Sequence, residues 1–126
     1  MKAIAKNSNG EIREFEIYLN KLDCRNRKLT ELNISNGVKV VYCYGNQLKE
    51  LKLPNGIKKV ACSNNQLTEL NLPNGVKDVY CFNNPIKEIT LPNSINNALL
   101  PLNCIVLNLD EFRNRNDVTI NFRWKQ

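Results

Sequence analysis

The sequence predicts a mainly β solenoid: about five short coils stacked side by side, with a parallel sheet on the concave face and extended or turn backbone on the convex side. A cap is expected at each end. Three observations carry this reading. Cys24, Cys43, Cys62 and Cys81 recur at intervals of 19 residues, with apolar residues in step. Around the cysteines apolar and polar residues alternate, as in V-x-C, the pattern of a short strand. Each unit then closes in a turn: SNG at 35–37, PNG at 54–56 and 73–75, and PNS at 92–94. A fixed period with one apolar face per unit marks a solenoid, because no unit hides that face alone whereas stacked units share one core.

Residues 2–7 and 11–18 flank an Asn9-Gly10 turn, a strong hairpin signal, so residues 1–18 read as an N-terminal hairpin cap. The repeats occupy residues 19–108. Leu22, Val41, Val60, Val79 and Ala98 fall two residues before the cysteine position, and Leu19, Val38, Ile57, Val76 and Ile95 three residues earlier still. Leu29, Leu48, Leu67, Ile86 and Ile105 follow it. A second apolar pair comes next: Leu32/Ile34, Leu51/Leu53, Leu70/Leu72 and Ile89/Leu91. The fifth unit departs from the pattern, with Leu100 in place of cysteine and Asn108 where an apolar residue is due. Residues 109–126 read as a C-terminal cap: a short helix over 109–115, then a closing strand with Val118, Ile120, Phe122 and Trp124 on one side. The whole, residues 1–126, is a single domain.

The string Ile57-Lys-Lys-Val60-Ala-Cys62-Ser-Asn-Asn65-Gln-Leu67 fits LxxLxLxxNxL, with cysteine at the third apolar site. In this it resembles the leucine-rich repeats. The resemblance spans residues 19–105, four complete units and the start of a fifth, and the unit is shorter than the usual 20–29 residues. It is similar to the short bacterial and viral kind, whose convex side is extended rather than helical. The resemblance implies a ladder of inward asparagines at Asn46, Asn65, Asn84 and Asn103, where the first unit has Arg27 instead. It also implies an interaction scaffold.

The chain has no histidine, which removes Ser-His-Asp, Cys-His and His-metal chemistry. Cysteines 19 residues apart lack the close pairing of zinc ligands. Their side chains should form an inward column, with parallel Cβ vectors poorly placed for disulfides. Free cysteine in such a column behaves as a small apolar residue, while Cys104 lies outside it and is expected to be partly exposed. No cofactor, metal site or enzyme activity is expected. Neither a membrane-length apolar run nor a signal-peptide core appears, so the expected setting is the cytoplasm. The net charge of +6 leaves room for acidic partners. The 22 asparagines carry little functional weight, since such usage can simply reflect an AT-rich genome.

With the inward positions structural, function should lie on the outward strand positions. Before the cysteine site these are Asp23, Tyr42, Ala61, Tyr80 and Leu99; after it, Arg25, Tyr44, Ser63, Phe82 and Pro101. Tyr42/Tyr44 and Tyr80/Phe82 thus flank a shallow gap at Ala61/Ser63. Such aromatics anchor interfaces or simply suit exposed sheet. Lys39, Lys58 and Lys77, joined by Lys59, form a column at one strand edge and would rim the aromatic patch. Glu31, Glu50, Glu69 and Glu88 form an acidic column on the other flank. The expected function is a non-catalytic module that binds another protein through its concave face, as a small effector or inhibitor, with homodimerisation a further option. The alternative is single-stranded nucleic acid, bases on the aromatics and phosphates on the lysines; it is the less favoured partner, and no membrane is expected.

Overall fold

The computed structural model describes residues 1–123, so the Trp124 end of the expected closing strand lies outside the described residues. The strands are β1 (Lys2–Asn7), β2 (Ile12–Tyr18), β3 (Lys21–Asp23), β4 (Leu29–Asn33), β5 (Val40–Tyr42), β6 (Lys59–Ala61), β7 (Asp78–Tyr80), β8 (Glu88–Ile89), β9 (Asn97–Pro101), β10 (Ile105–Val106) and β11 (Thr119–Arg123). Nine form one sheet in the order β11-β9-β7-β6-β5-β3-β2-β1-β4, and β8 and β10 pair separately. Along the run β3-β5-β6-β7-β9-β11 every pairing is parallel. The protein is a β-solenoid of about five coils.

The coils stack in the register set by the 19-residue period. Leu22, Val41, Val60, Val79 and Ala98 are cross-strand neighbours, and all are buried. Cys24, Cys43, Cys62 and Cys81 form the next buried column, unpaired with one another. The strands are only three residues long because each coil must turn again at once. Hydrogen bonds continue beyond the strands: Cys43 N–H donates to Ala61 O at 2.9 Å and, past the bend, Gln66 N–H to Leu48 O at 2.8 Å.

The N-terminal hairpin closes the first coil on two sides. β2 pairs antiparallel with β3, and β1 antiparallel with β4. Ala3 and Ala5, nearly inaccessible, let the hairpin approach the core, while Asn7 Oδ1 holds its turn by accepting from Asn9 N–H and Glu11 N–H at 3.0 and 2.9 Å. This cap displaces one expected core residue. Leu19 is 74% exposed and, like Asn20, has positive φ, because the two make the tight reversal between β2 and β3.

The last coil breaks the period. After β9 a turn joins Cys104 N–H to Pro101 O at 3.1 Å and shifts the alternation by one residue. Cys104 and Val106 point inward, so Cys104 is buried rather than partly exposed, while Ile105 is 63% exposed and Asn103 lies outside the ladder. Of the helix expected over 109–115 only a 3-10 helix, Leu109–Phe112, forms; its Phe112 is buried against the end of the core. Asn108 provides no helix cap because its amide is engaged with the Leu91 backbone, accepting from N–H at 3.0 Å and donating to O at 2.8 Å. The closing strand forms, parallel to β9, with Ile120 beside Ala98 and Phe122 beside Leu100.

Candidate binding face

The inward asparagines hold the bend next to the strand face. Asn65 donates from Nδ2 to Cys62 O at 3.0 Å and to Cys43 O of the preceding coil at 3.1 Å, while its Oδ1 accepts from Leu48 N–H at 3.0 Å. Asn46 and Asn84 repeat this one coil either side. Each inner carbonyl therefore takes two amide donors: Cys43 O from Asn46 and Asn65, Cys62 O from Asn65 and Asn84. The ladder stops at Asn84, since Asn103 has turned outward, so among the described residues Cys81 O has Asn84 as its only side-chain donor. These bonds satisfy buried backbone groups and fix the strand ends from which the outward residues project.

Tyr42 and Tyr80 stand on β5 and β7, either side of Ala61 on β6; Tyr44 and Phe82 follow two residues on, either side of Ser63. All four rings are half-buried. The expected gap between them is closed: Ala61 is 6% and Ser63 3% exposed. Rings on the neighbouring coils shield these small residues, and the Lys59 side chain runs over the same place. Its Nζ lies 5.6 Å from the Tyr42 ring centre and 5.5 Å from that of Tyr80, a cation between two π-faces. The Ser63 hydroxyl is fully covered and has no hydrogen-bond partner among the described residues.

Two arginines complete the pattern. Arg25 lies over Tyr44, 5.8 Å from the ring centre, and donates from Nη1 to the Tyr44 hydroxyl at 2.8 Å. That bond, followed by the Asp23 carboxylate 3.4 Å from Nε, favours the charged guanidinium. Arg123 lies over Phe82 at 4.8 Å. Three cations on the strand face are thus seated on aromatic rings. Lys21 also points outward on it, and the acid Asp78 stands directly across from Lys59.

The structure brings Tyr42, Tyr44, Tyr80, Phe82 and Lys59 together. It sets Lys39, Lys58 and Lys77 apart, at the turn edge. Lys39 Nζ and Lys58 Nζ lean over Gly56 and Gly75 of the following coil, where an added Cβ would meet them at 3.2 and 3.1 Å. Arg123 was missed by the sequence reading, although the alternation of Val118, Ile120 and Phe122 already put it on the opposite side from them.

The thiols are buried and protonated. Burial pushes Cys24 up to about 12 and raises Cys43, Cys62 and Cys81 as well, so none is a ready nucleophile. Among the described residues no three His, Cys, Asp or Glu side chains are gathered to hold a metal, and no helix is long and apolar enough to cross a membrane. A cleft of about 1030 Å³ lies away from the strand face, between the second halves of the last coils, beside Glu69, Glu88 and Glu111. No protein-family model matches the chain, and no curated protein or solved structure matches it.

Proposed function

We propose that this chain is a non-catalytic protein-binding module of the short leucine-rich-repeat type, which recognises a partner protein through the strand face around Tyr42, Tyr44, Tyr80 and Phe82. The observation that carries the reading is the clamp of Lys59 between Tyr42 and Tyr80, flanked by two further cation–aromatic pairs. Tyrosine and arginine are the residues most often found at the energetic centre of an interface, where rigid rings present large area at small entropic cost. Here they sit on a sheet whose strand ends are fixed by the asparagine ladder, so little ordering is left to pay for on binding. The five free thiols suit a reducing compartment, and the cytoplasm is the setting that goes with this reading.

The test is affinity capture from host lysate with the intact chain and with a Tyr42→Ala/Tyr80→Ala variant. Both tyrosines are surface positions, so the variant should keep the strand circular dichroism of the parent and lose the captured protein. Capture that survives the double substitution would place recognition elsewhere.

A further inference from the structure

On the premise that the strand face is the binding face, we infer that its partner segment is an extended acidic peptide with carboxylates at every second residue, and that Arg25, Lys59 and Arg123 are the groups that read it. The rings decide the chemistry. A base-stacking surface needs open ring faces, but the four central rings of this face already carry cations: Arg25 on Tyr44, Lys59 on Tyr42 and Tyr80, Arg123 on Phe82. Tyr18, at the cap end of the same sheet, stands exposed without one among the described residues. The aromatics act as seats that hold these three charges in place, among the acids Asp23 and Asp78 of the same face.

The charges are available to a ligand. Lys59 makes no ion pair among the described residues, since the Asp78 carboxylate across from it accepts from Asn97 Nδ2 at 2.9 Å. The Asp23 partner of Arg25 is itself about half exposed (49%), so its hold is weak and exchangeable. Their spacing selects the ligand. The Tyr44 and Phe82 rings stand two strands apart, about 10 Å. Each guanidinium reaches its ring from the outer side, 5.8 and 4.8 Å from the ring centres, which sets the two arginines up to about 20 Å apart. Lys59 lies between them along the solenoid, offset toward the Tyr42/Tyr80 row. In an extended peptide laid across the strands, residues one, three and five span about 13 Å. With side chains splayed outward, the two outer carboxylates reach toward the arginines and the middle one lies within side-chain reach of Lys59. Three contiguous acids span only about 7 Å and alternate in direction, so they engage the two arginines together less well.

The experiment titrates the full-length protein at low salt with three labelled probes, read by fluorescence anisotropy. These are Glu-Ser-Glu-Ser-Glu, its isomer Ser-Glu-Glu-Glu-Ser, and a short single-stranded oligothymidine. The alternating peptide should bind about fivefold more tightly than the clustered one, the value of one additional ion pair of about 1 kcal/mol. Lys59→Met, Arg25→Gln and Arg123→Gln should each weaken it by a similar factor, whereas Lys52→Met, an exposed lysine outside this face, should leave it unchanged. Equal binding of the two peptides, or tighter binding of the oligothymidine through the same three cations, would overturn the inference. Failure here is distinct from failure of the broader proposal, which stands as long as lysate capture depends on Tyr42 and Tyr80.

Discussion

Removing one rung of the asparagine ladder should cost an amount set by its position, and the cheapest rung is the middle one. In Asn65→Ala the buried Leu48 N–H loses its acceptor. Cys43 O and Cys62 O lose one amide donor each but keep the other, from Asn46 and Asn84. One orphaned buried donor costs about 1–3 kcal/mol. In Asn84→Ala the Leu67 N–H is orphaned in the same way, and Cys81 O loses Asn84 with no next rung to replace it. Two orphans instead of one make Asn84→Ala costlier by about 1–2 kcal/mol. Equilibrium urea unfolding followed by circular dichroism reads this directly. With a slope of about 2 kcal/mol per molar urea, the two midpoints should differ by about 0.5–1 M. Equal midpoints, or a lower one for Asn65→Ala, would refute the idea that shared carbonyls protect the middle of the ladder.

Ser63→Ala should raise stability by about 1 kcal/mol, seen as a melting temperature higher by about 3 °C, because it deletes a buried hydroxyl without a partner; a fall would mean that the hydroxyl is bonded in solution. Gly45→Ala should lower the urea midpoint, since φ is +74° and the new Cβ would meet Asn26 Oδ1. The cost is set by backbone strain of about 1–2 kcal/mol, because the end of the Asn26 side chain can turn aside. The cysteines Cys24, Cys43, Cys62 and Cys81 should resist alkylation in the native protein and react in urea, measured by mass spectrometry. Their folded pKa values lie above the unfolded one, so the fold keeps protons that the unfolded chain releases. Stability should therefore be full below pH ~9 and fall as pH rises from there toward ~12, followed by thermal melts across that range.

The sequence by itself determined the repeating part of this protein. A 19-residue period and a two-residue alternation suffice to place Val41, Cys62 or Leu67 inward and Tyr42 or Phe82 outward, because stacked coils repeat one local geometry. Where the period fails, only the tertiary structure decided. Leu19 left the core because the cap hairpin needed a reversal there, and the turn after Pro101 exchanged the roles of Asn103 and Cys104. β11 pairs Thr119 with Asn97, a step of 22 residues rather than 19, so no count along the chain could bring Arg123 beside Pro101 and over Phe82. The cations are the general case of this limit. Alternation fixes where a Cβ points, but the end of a lysine or arginine lies several bonds away. It settles on rings supplied by other coils, which is why Lys59, read as part of a lysine edge, stands between two tyrosines.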